Sequence, residues 1–310
     1  MIRFNNQLDF TFFNKINSGG VLEGGHSNLF YSDYIEAYCG TDYAGDNYPL
    51  NDLFKMKKVQ DTLERLGKLF VFVHAGSKAS YYAEDIPKDL PCNSAGKTNL
   101  KNYERISDSL GIHYIDFNSW FVSLKGKTPH PLFNKQGIHW SMYGALFAID
   151  SLIKYIELRR SIHMAHPKWS EIEYSYKARR SEDDMEKVIN LIFPVDTSAY
   201  WYPKWHYDDS AGFTKPKVIY IGDSFGWTFV HDGIMNSDSD AYYWYYFRDV
   251  WRKEDWEERA VSHDMSTYDW RGVLHDADCV VMMYTASQLV RSSTTFIDSA
   301  YKYYYPNKQF

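Results

Sequence analysis

Three short, almost unbroken apolar runs constrain this chain most: Leu69-Phe-Val-Phe-Val-His-Ala75, Lys217-Val-Ile-Tyr-Ile221 and Asp278-Cys-Val-Val-Met-Met-Tyr284. Runs of this length without polar alternation suit strands buried on both faces, as in a parallel sheet covered by helices on either side. Ile112–Asp116 and Tyr242–Phe247 read as further strands. Helical spacing fills the intervals. Met56, Val59, Leu63 and Leu66 share one face over about 51–67, and Thr98 caps a helix with Tyr103, Ile106 and Leu110 inward. Ser141 caps a longer helix over about 142–158, in which Met142, Leu146, Ile149, Leu152, Ile153 and Ile156 recur. Ser181 with Asp184 opens a short helix carrying Met185, Ile189 and Ile192. Residues 20–40 read as an entry hairpin. The aromatic, proline-containing, aperiodic stretch 194–214 reads as a loop across one face. Strands alternating with helices predict a three-layer α/β/α sandwich around a mostly parallel, flavodoxin-like sheet. The expected organisation is one domain, 1–310, with an inserted or capping segment at 160–214.

Charge and composition exclude several function classes. Net charge is -6, and the basic clusters Lys55–Lys58 and Arg159–Arg160 read as solvated helix faces, so no nucleic-acid partner is expected. No stretch reaches the ~18 apolar residues of a bilayer span, and the residues after Met1 do not read as a signal peptide. The 27 tyrosines supply either sugar-stacking platforms or ordinary core and surface rings. Cys279 reads as a buried thiol, and a Cys39–Cys92 disulfide is left open. No C-x-x-C or H-E-x-x-H occurs, and His163 and His166 lack a completing ligand set, so neither a metal nor another cofactor is expected.

In open α/β sheets, sites gather at the carboxyl ends of strands. Gly222-Asp223-Ser224 falls at such an end. Two readings stand: Ser224 caps the following helix, or it is a nucleophile whose oxyanion would be held by free N–H groups at the helix start. A nucleophilic serine needs a base. Among eleven histidines His139 stands out, in Asn134-Lys-Gln-Gly-Ile-His-Trp-Ser-Met-Tyr-Gly144, just before the Ser141 cap. Trp140 can pack on its ring, and the helix N-terminus disfavours imidazolium. His74 reads as a satisfied strand-end histidine.

Gly-Asp-Ser-Phe after a strand and His-Trp-Ser opening a helix resemble the SGNH-hydrolase-like alginate O-acetyltransferase family of the AlgX and AlgJ type. The resemblance extends to V-L-E-G-G-H-S-N-L-F-Y near the start, Gly76–Lys78, I-D-F at 115–117 and A-D-C-V-V-M-M-Y-T-A-S-Q-L near the end. His139 precedes Ser224, the circularly permuted order of that branch. The resemblance implies that Ser224 attacks an acetyl donor while His139 carries the proton. It places Gly222, Thr285, Gln288 and Lys78 at the oxyanion pocket, with Arg248 at its rim. It implies an extracellular polysaccharide acceptor packed on Trp140, Tyr200, Trp201 and Trp205. It also implies a membrane-bound O-acyltransferase partner and an extracytoplasmic, membrane-anchored setting. Deacetylation by the same residues, and a non-catalytic carbohydrate-binding or assembly role, are the alternatives. One departure matters: the family's loop reads Asp-x-His-Trp, whereas here Gly137 occupies the acid's place. Asp116, Asp223 or a backbone carbonyl are the stand-ins for orienting His139.

Overall fold

A computed structural model describes residues 1–92, 96–208, 212–238, 240–252 and 263–307. In chain order its first half comprises α1 (Ile2–Phe13), β1 (Val21–Glu23), β2 (Leu29–Tyr31), α2 (Ser32–Cys39), α3 (Leu50–Arg65), β3 (Leu69–His74), α4 (Lys78–Tyr81), α5 (Asn99–Leu110), β4 (Tyr114–Asp116), α6 (Phe117–Leu124) and α7 (Met142–Arg160). There follow β5 (Pro167–Ser175), α8 (Asp184–Ile189), β6 (Tyr200–Tyr207), β7 (Lys217–Gly222), α9 (Phe225–His231), β8 (Asp240–Tyr245), β9 (Asp249–Arg252), β10 (His263–Asp264), α10 (Trp270–Asp276), β11 (Cys279–Tyr284) and α11 (Thr295–Tyr304).

The main sheet has seven strands in the order β10-β9-β8-β7-β11-β3-β4. The five from β8 to β4 are mutually parallel, and β9 and β10 add an antiparallel edge. Period-two alternation divides the apolar runs between two cores. Val71, Val73, Val218, Tyr220, Val281 and Met283 meet the inner faces of α6, α7 and α9. Phe70, Phe72, Ile219, Ile221, Val280 and Met282 face α3, α5, α10 and α11. This is the expected three-layer sandwich. The caps also act as expected: Thr98 accepts from the Lys101 N–H and Ser141 from the Gly144 N–H.

Three local expectations change. The loop expected across 194–214 contains a strand: β6 pairs antiparallel with β5 from Tyr200 to Tyr207, as a separate two-stranded sheet. Alternation is obscured there because aromatic residues occupy both faces, so the run carries no readable period; within that stretch, 209–211 lie outside the described residues. Only the front of 20–40 is a hairpin, β1 with β2, while the rest is α2. The N-terminal α1 was not anticipated. It lies against the segment after α8, with Arg3 donating to the Leu191 carbonyl, Asn6 to that of Ile189, and Gln7 accepting from the N–H groups of Ile192 and Phe193. Cys39 and Cys92 are bridged, with Cα atoms 4.4 Å apart, and Cys279 is a buried free thiol. Among the described residues no helix is long and apolar enough to cross a membrane.

Candidate active site

The turn carrying Ser224 is built by close approach. A Cβ on Gly222 would lie 2.2 Å from the Met283 carbonyl oxygen of neighbouring β11, so only glycine lets β7 end there. Asp223, buried beneath the turn, accepts from the Phe225 N–H at 3.0 Å and from both the N–H and the hydroxyl of Thr285 at 2.8 Å. The Tyr243 hydroxyl donates to the Asp223 carbonyl. Asp223 therefore takes the capping role at α9. Ser224, although in the cap position, makes no side-chain cap bond, and its hydroxyl is left for another partner.

That partner is His139. Its Nε2 lies 2.9 Å from Ser224 Oγ, and its ring packs on Phe225 with centroids 4.9 Å apart. On the far side of the ring, Nδ1 lies 3.0 Å from Asp184 Oδ2. This is ion-pair distance rather than an aligned hydrogen bond, since Nδ1 has no partner in hydrogen-bonding geometry. Catalytic contacts of this kind commonly tighten only when substrate binds. The other Asp184 oxygen accepts from the N–H groups of Ile138 at 3.0 Å and Met185 at 2.8 Å, fixing the carboxylate beside the ring.

The histidine loop rests on the segment that enters α8. Glu182 accepts through Oε1 from Asn134 at 3.0 Å and from the Met142 N–H at 2.9 Å, and the Glu186 N–H donates to Gln136 O at 3.2 Å. The Glu182 carbonyl fills the place where a side chain at residue 137 would go: a Cβ there would meet it at 2.4 Å. Gly137 and Asp184 are thus two halves of one arrangement, in which the acid reaches His139 from another segment while the backbone of that segment excludes a side chain at 137. The sequence carried the signal only as an acidic residue in the first turn of a short helix, which reads equally as dipole compensation.

The proposed stand-ins are corrected accordingly. Asp116 caps α6 by accepting from the Ser119 N–H at 2.9 Å, and Asp223 braces the serine turn. Thr285 has both donors committed to Asp223 and so is not turned toward an oxyanion, and the Gln288 side-chain oxygen accepts from Ser292 at 3.2 Å. The Ser224 N–H, by contrast, meets no hydrogen-bond acceptor among the described residues. Gly222 shapes the turn from within the core, and Arg248 is exposed on the loop after β8. In that loop Tyr246 and Phe247 adopt positive φ of 51° and 54°, and the Tyr246 N–H reaches the Gly222 carbonyl at 2.8 Å. Two consecutive bulky residues in the left-handed region mark a constrained backbone beside the serine.

Lys78 is not turned to an open pocket. It is 1% exposed, lies over the Phe30 ring, and donates to the carbonyls of Lys135 and Gly137, the latter at 3.1 Å. Burial pushes its ammonium well below the usual lysine range. Its visible work is to hold the histidine loop from beneath. Lys78→Met keeps the stem and removes the donor to Gly137, while the Lys135 carbonyl keeps the Leu29 N–H at 2.9 Å. A loss of about 1–3 kcal/mol is expected, read as a lower denaturation midpoint in urea.

The expected sugar platform is also revised. Trp140 is buried, stacked on Phe229 and donating to Thr228, and Tyr200 is buried. Trp201 and Trp205 are half-buried on β6, the first stacked on His130 at 4.1 Å, the second packed against the core. No ring contact links β6 to Ser224 or His139 among the described residues.

A family model described as SGNH hydrolase-like domain, acetyltransferase AlgX, matches residues 21–204, more than half of the chain and including His139 and Asp184. Similar solved structures include the O-acetyltransferase domain of Pseudomonas putida AlgJ, with 17% identity, TM-score 0.59, and coverage of 92% of this chain and 99% of that one. Bacillus cereus PatB1 follows at 12% identity and TM-score 0.53, covering 89% and 99%. Pseudomonas aeruginosa AlgX has 12% identity and TM-score 0.50, covering 90% of this chain and 66% of its own. At these identities the likeness is one of fold. No curated protein is detectably similar in sequence.

Proposed function

Because this chain belongs to the SGNH hydrolase-like, AlgX-type acetyltransferase family, we propose that it transfers acetyl groups to hydroxyls of an extracellular polysaccharide through Ser224, His139 and Asp184. The observation that carries the proposal is the continuous line from the Asp184 carboxylate through both imidazole nitrogens to the Ser224 hydroxyl. In the first half-reaction Ser224 Oγ adds to the acetyl carbonyl as its proton passes to His139 Nε2. The tetrahedral oxyanion sits against the Ser224 N–H at the start of α9. Collapse breaks the donor C–O bond, and His139 returns the proton to the leaving oxygen. In the second, a sugar hydroxyl attacks the acetyl-serine and loses its proton to Nε2. Collapse of this second tetrahedral adduct expels Ser224 Oγ, which takes the proton back, and releases the ester. Asp184 holds the proton-bearing Nδ1 edge so that Nε2 faces serine as a base.

The hydrogen-bonded Ser224–His139 pair, with Asp184 beside the ring, favours an enzyme over a binding or assembly protein of the same fold. Deacetylation would use the same acyl-enzyme with water as acceptor. The Cys39–Cys92 bridge supports an oxidising, extracytoplasmic location, where a membrane-bound acyltransferase would supply acetyl groups. A serine-directed sulfonyl fluoride tests the nucleophile. One adduct on Ser224 is expected by mass mapping, absent in Ser224→Ala, together with release of p-nitrophenol from its acetate ester. An unlabelled Ser224 with no p-nitrophenol release would sink the enzyme reading. Acetylated product from an added oligosaccharide separates transfer from hydrolysis.

A further inference from the structure

On the opposite face of the sheet from the His139 loop, the carboxyl edge carries a second cluster. His74 ends β3, Glu104 lies on α5, and Asp116 ends β4, with β3 and β4 paired so that His74 stands opposite Asp116. One potential ligand atom from each falls within 4.8 Å of the others. His74 does not behave as the satisfied strand-end histidine its position suggests. It is 1% exposed, yet neither ring nitrogen has a hydrogen-bond partner, and a buried Glu104 oxygen is equally unmatched, with Nδ1 and this Oε1 3.5 Å apart. Buried polar atoms are rarely left so, and three unmatched or half-used donors converging on one point indicate a missing partner.

We propose that His74, Glu104 and Asp116 bind one divalent cation of the zinc class. One imidazole and two carboxylates are a borderline N/O donor set, better suited to Zn²⁺ than to Mg²⁺. With metal–ligand bonds of about 2.0–2.1 Å, donors around a tetrahedral ion stand about 3.3 Å apart, so the His74–Glu104 spacing is already near the bound value. Asp116 spends only Oδ1 on capping α6, which leaves Oδ2 for the ion. The His74 ring is fixed by Tyr114, stacked at 5.2 Å, and by the edge of Phe72 at 4.7 Å. Of the three, Glu104 lines a cleft of about 720 Å³ shared with Asn118, Ser77 and Ala286. The ion would join β3, α5 and the β4–α6 junction at an edge two strands from Ser224, independently of the acyl-transfer reading.

The test is competition titration of tag-free, chelator-stripped protein with ZnCl2 against a chromophoric chelator, repeated with MgCl2. One equivalent of Zn²⁺ is expected, with Mg²⁺ at least 100-fold weaker. His74→Ala and Glu104→Gln should each weaken Zn²⁺ at least 100-fold. His166→Ala is the control, because His166 already has both nitrogens paired, with Asp150 at 2.7 Å and Glu157 at 2.9 Å, and should leave affinity unchanged. If His74→Ala loses its native circular dichroism, Glu104→Gln decides. No stoichiometric binding, binding indifferent to Glu104→Gln, or binding lost in His166→Ala would each overturn the site.

Discussion

Asp184→Asn is expected to lower turnover of p-nitrophenyl acetate, and acetyl transfer with it, by about 10²–10⁴-fold, with an unchanged far-ultraviolet spectrum. The reason lies in what the carboxylate does at each oxygen. Oδ1 takes the Ile138 and Met185 N–H groups, and an asparagine oxygen can keep that place. Oδ2, 3.0 Å from His139 Nδ1, would become an NH2 group. Facing a donor, the imidazole settles with Nδ1 bare and the proton on Nε2, the tautomer that cannot accept a proton from Ser224. The loss should fall on kcat with KM little changed, because Asp184 acts through the histidine rather than on substrate. The rate of sulfonyl fluoride labelling should fall with it. If Asp184→Asn retains wild-type kcat while Ser224→Ala and His139→Ala do not, the site works as a dyad and Asp184 is a loop anchor only.

The sheet and the serine–histidine pair were legible because each has a local signal. Unbroken apolar runs mark strands buried on both sides, and the glycine before Asp223 marks a strand that must turn hard against its neighbour. Asp184 was not legible as the histidine's partner, since it stands 46 residues after Ile138, the loop residue whose N–H it holds, and nothing in a single chain announces that α8 folds back across that loop. The same blindness misassigned Lys78. A lysine in a Gly-Ser-Lys turn reads as a pocket cation, whereas its 1% exposure and two carbonyl partners exist only once the loop carrying residues 135–137 is laid over it. Thr285 and Gln288 read as oxyanion donors only by analogy, from the turn that follows β11. The structure spends both Thr285 donors on Asp223 instead, and ties the Gln288 side-chain oxygen to Ser292. What is read well is what neighbours in sequence decide. What is missed is decided by segments that meet only in the fold.

Gly137→Asp would restore the acid to the position the family loop gives it, two residues before His139, and here it should fail. A Cβ at 137 would stand 2.4 Å from the Glu182 carbonyl oxygen and 2.8 Å from its carbon, both backbone atoms with no flexible end to yield. Relief would require the entry to α8 to move. That displaces the Glu182 carboxylate from Asn134 and the Met142 N–H, and Asp184 from Ile138 and His139. Forcing side-chain atoms into such a site costs about 1–3 kcal/mol through strain alone. The expected variant has a lowered urea midpoint and activity no better than Asp184→Asn. The double variant Gly137→Asp/Asp184→Asn separates two accounts of the missing acid. If Gly137 were simply a lost catalytic residue, the aspartate would rescue the Asp184→Asn enzyme. If the acid is now supplied across the loop and glycine is its steric counterpart, the double variant stays as inactive as the single one and is less stable. Recovery of more than about tenfold in kcat would mean that the α8 entry yields to a new side chain, and that the coupling of Gly137 to Asp184 is not the reason for the altered loop.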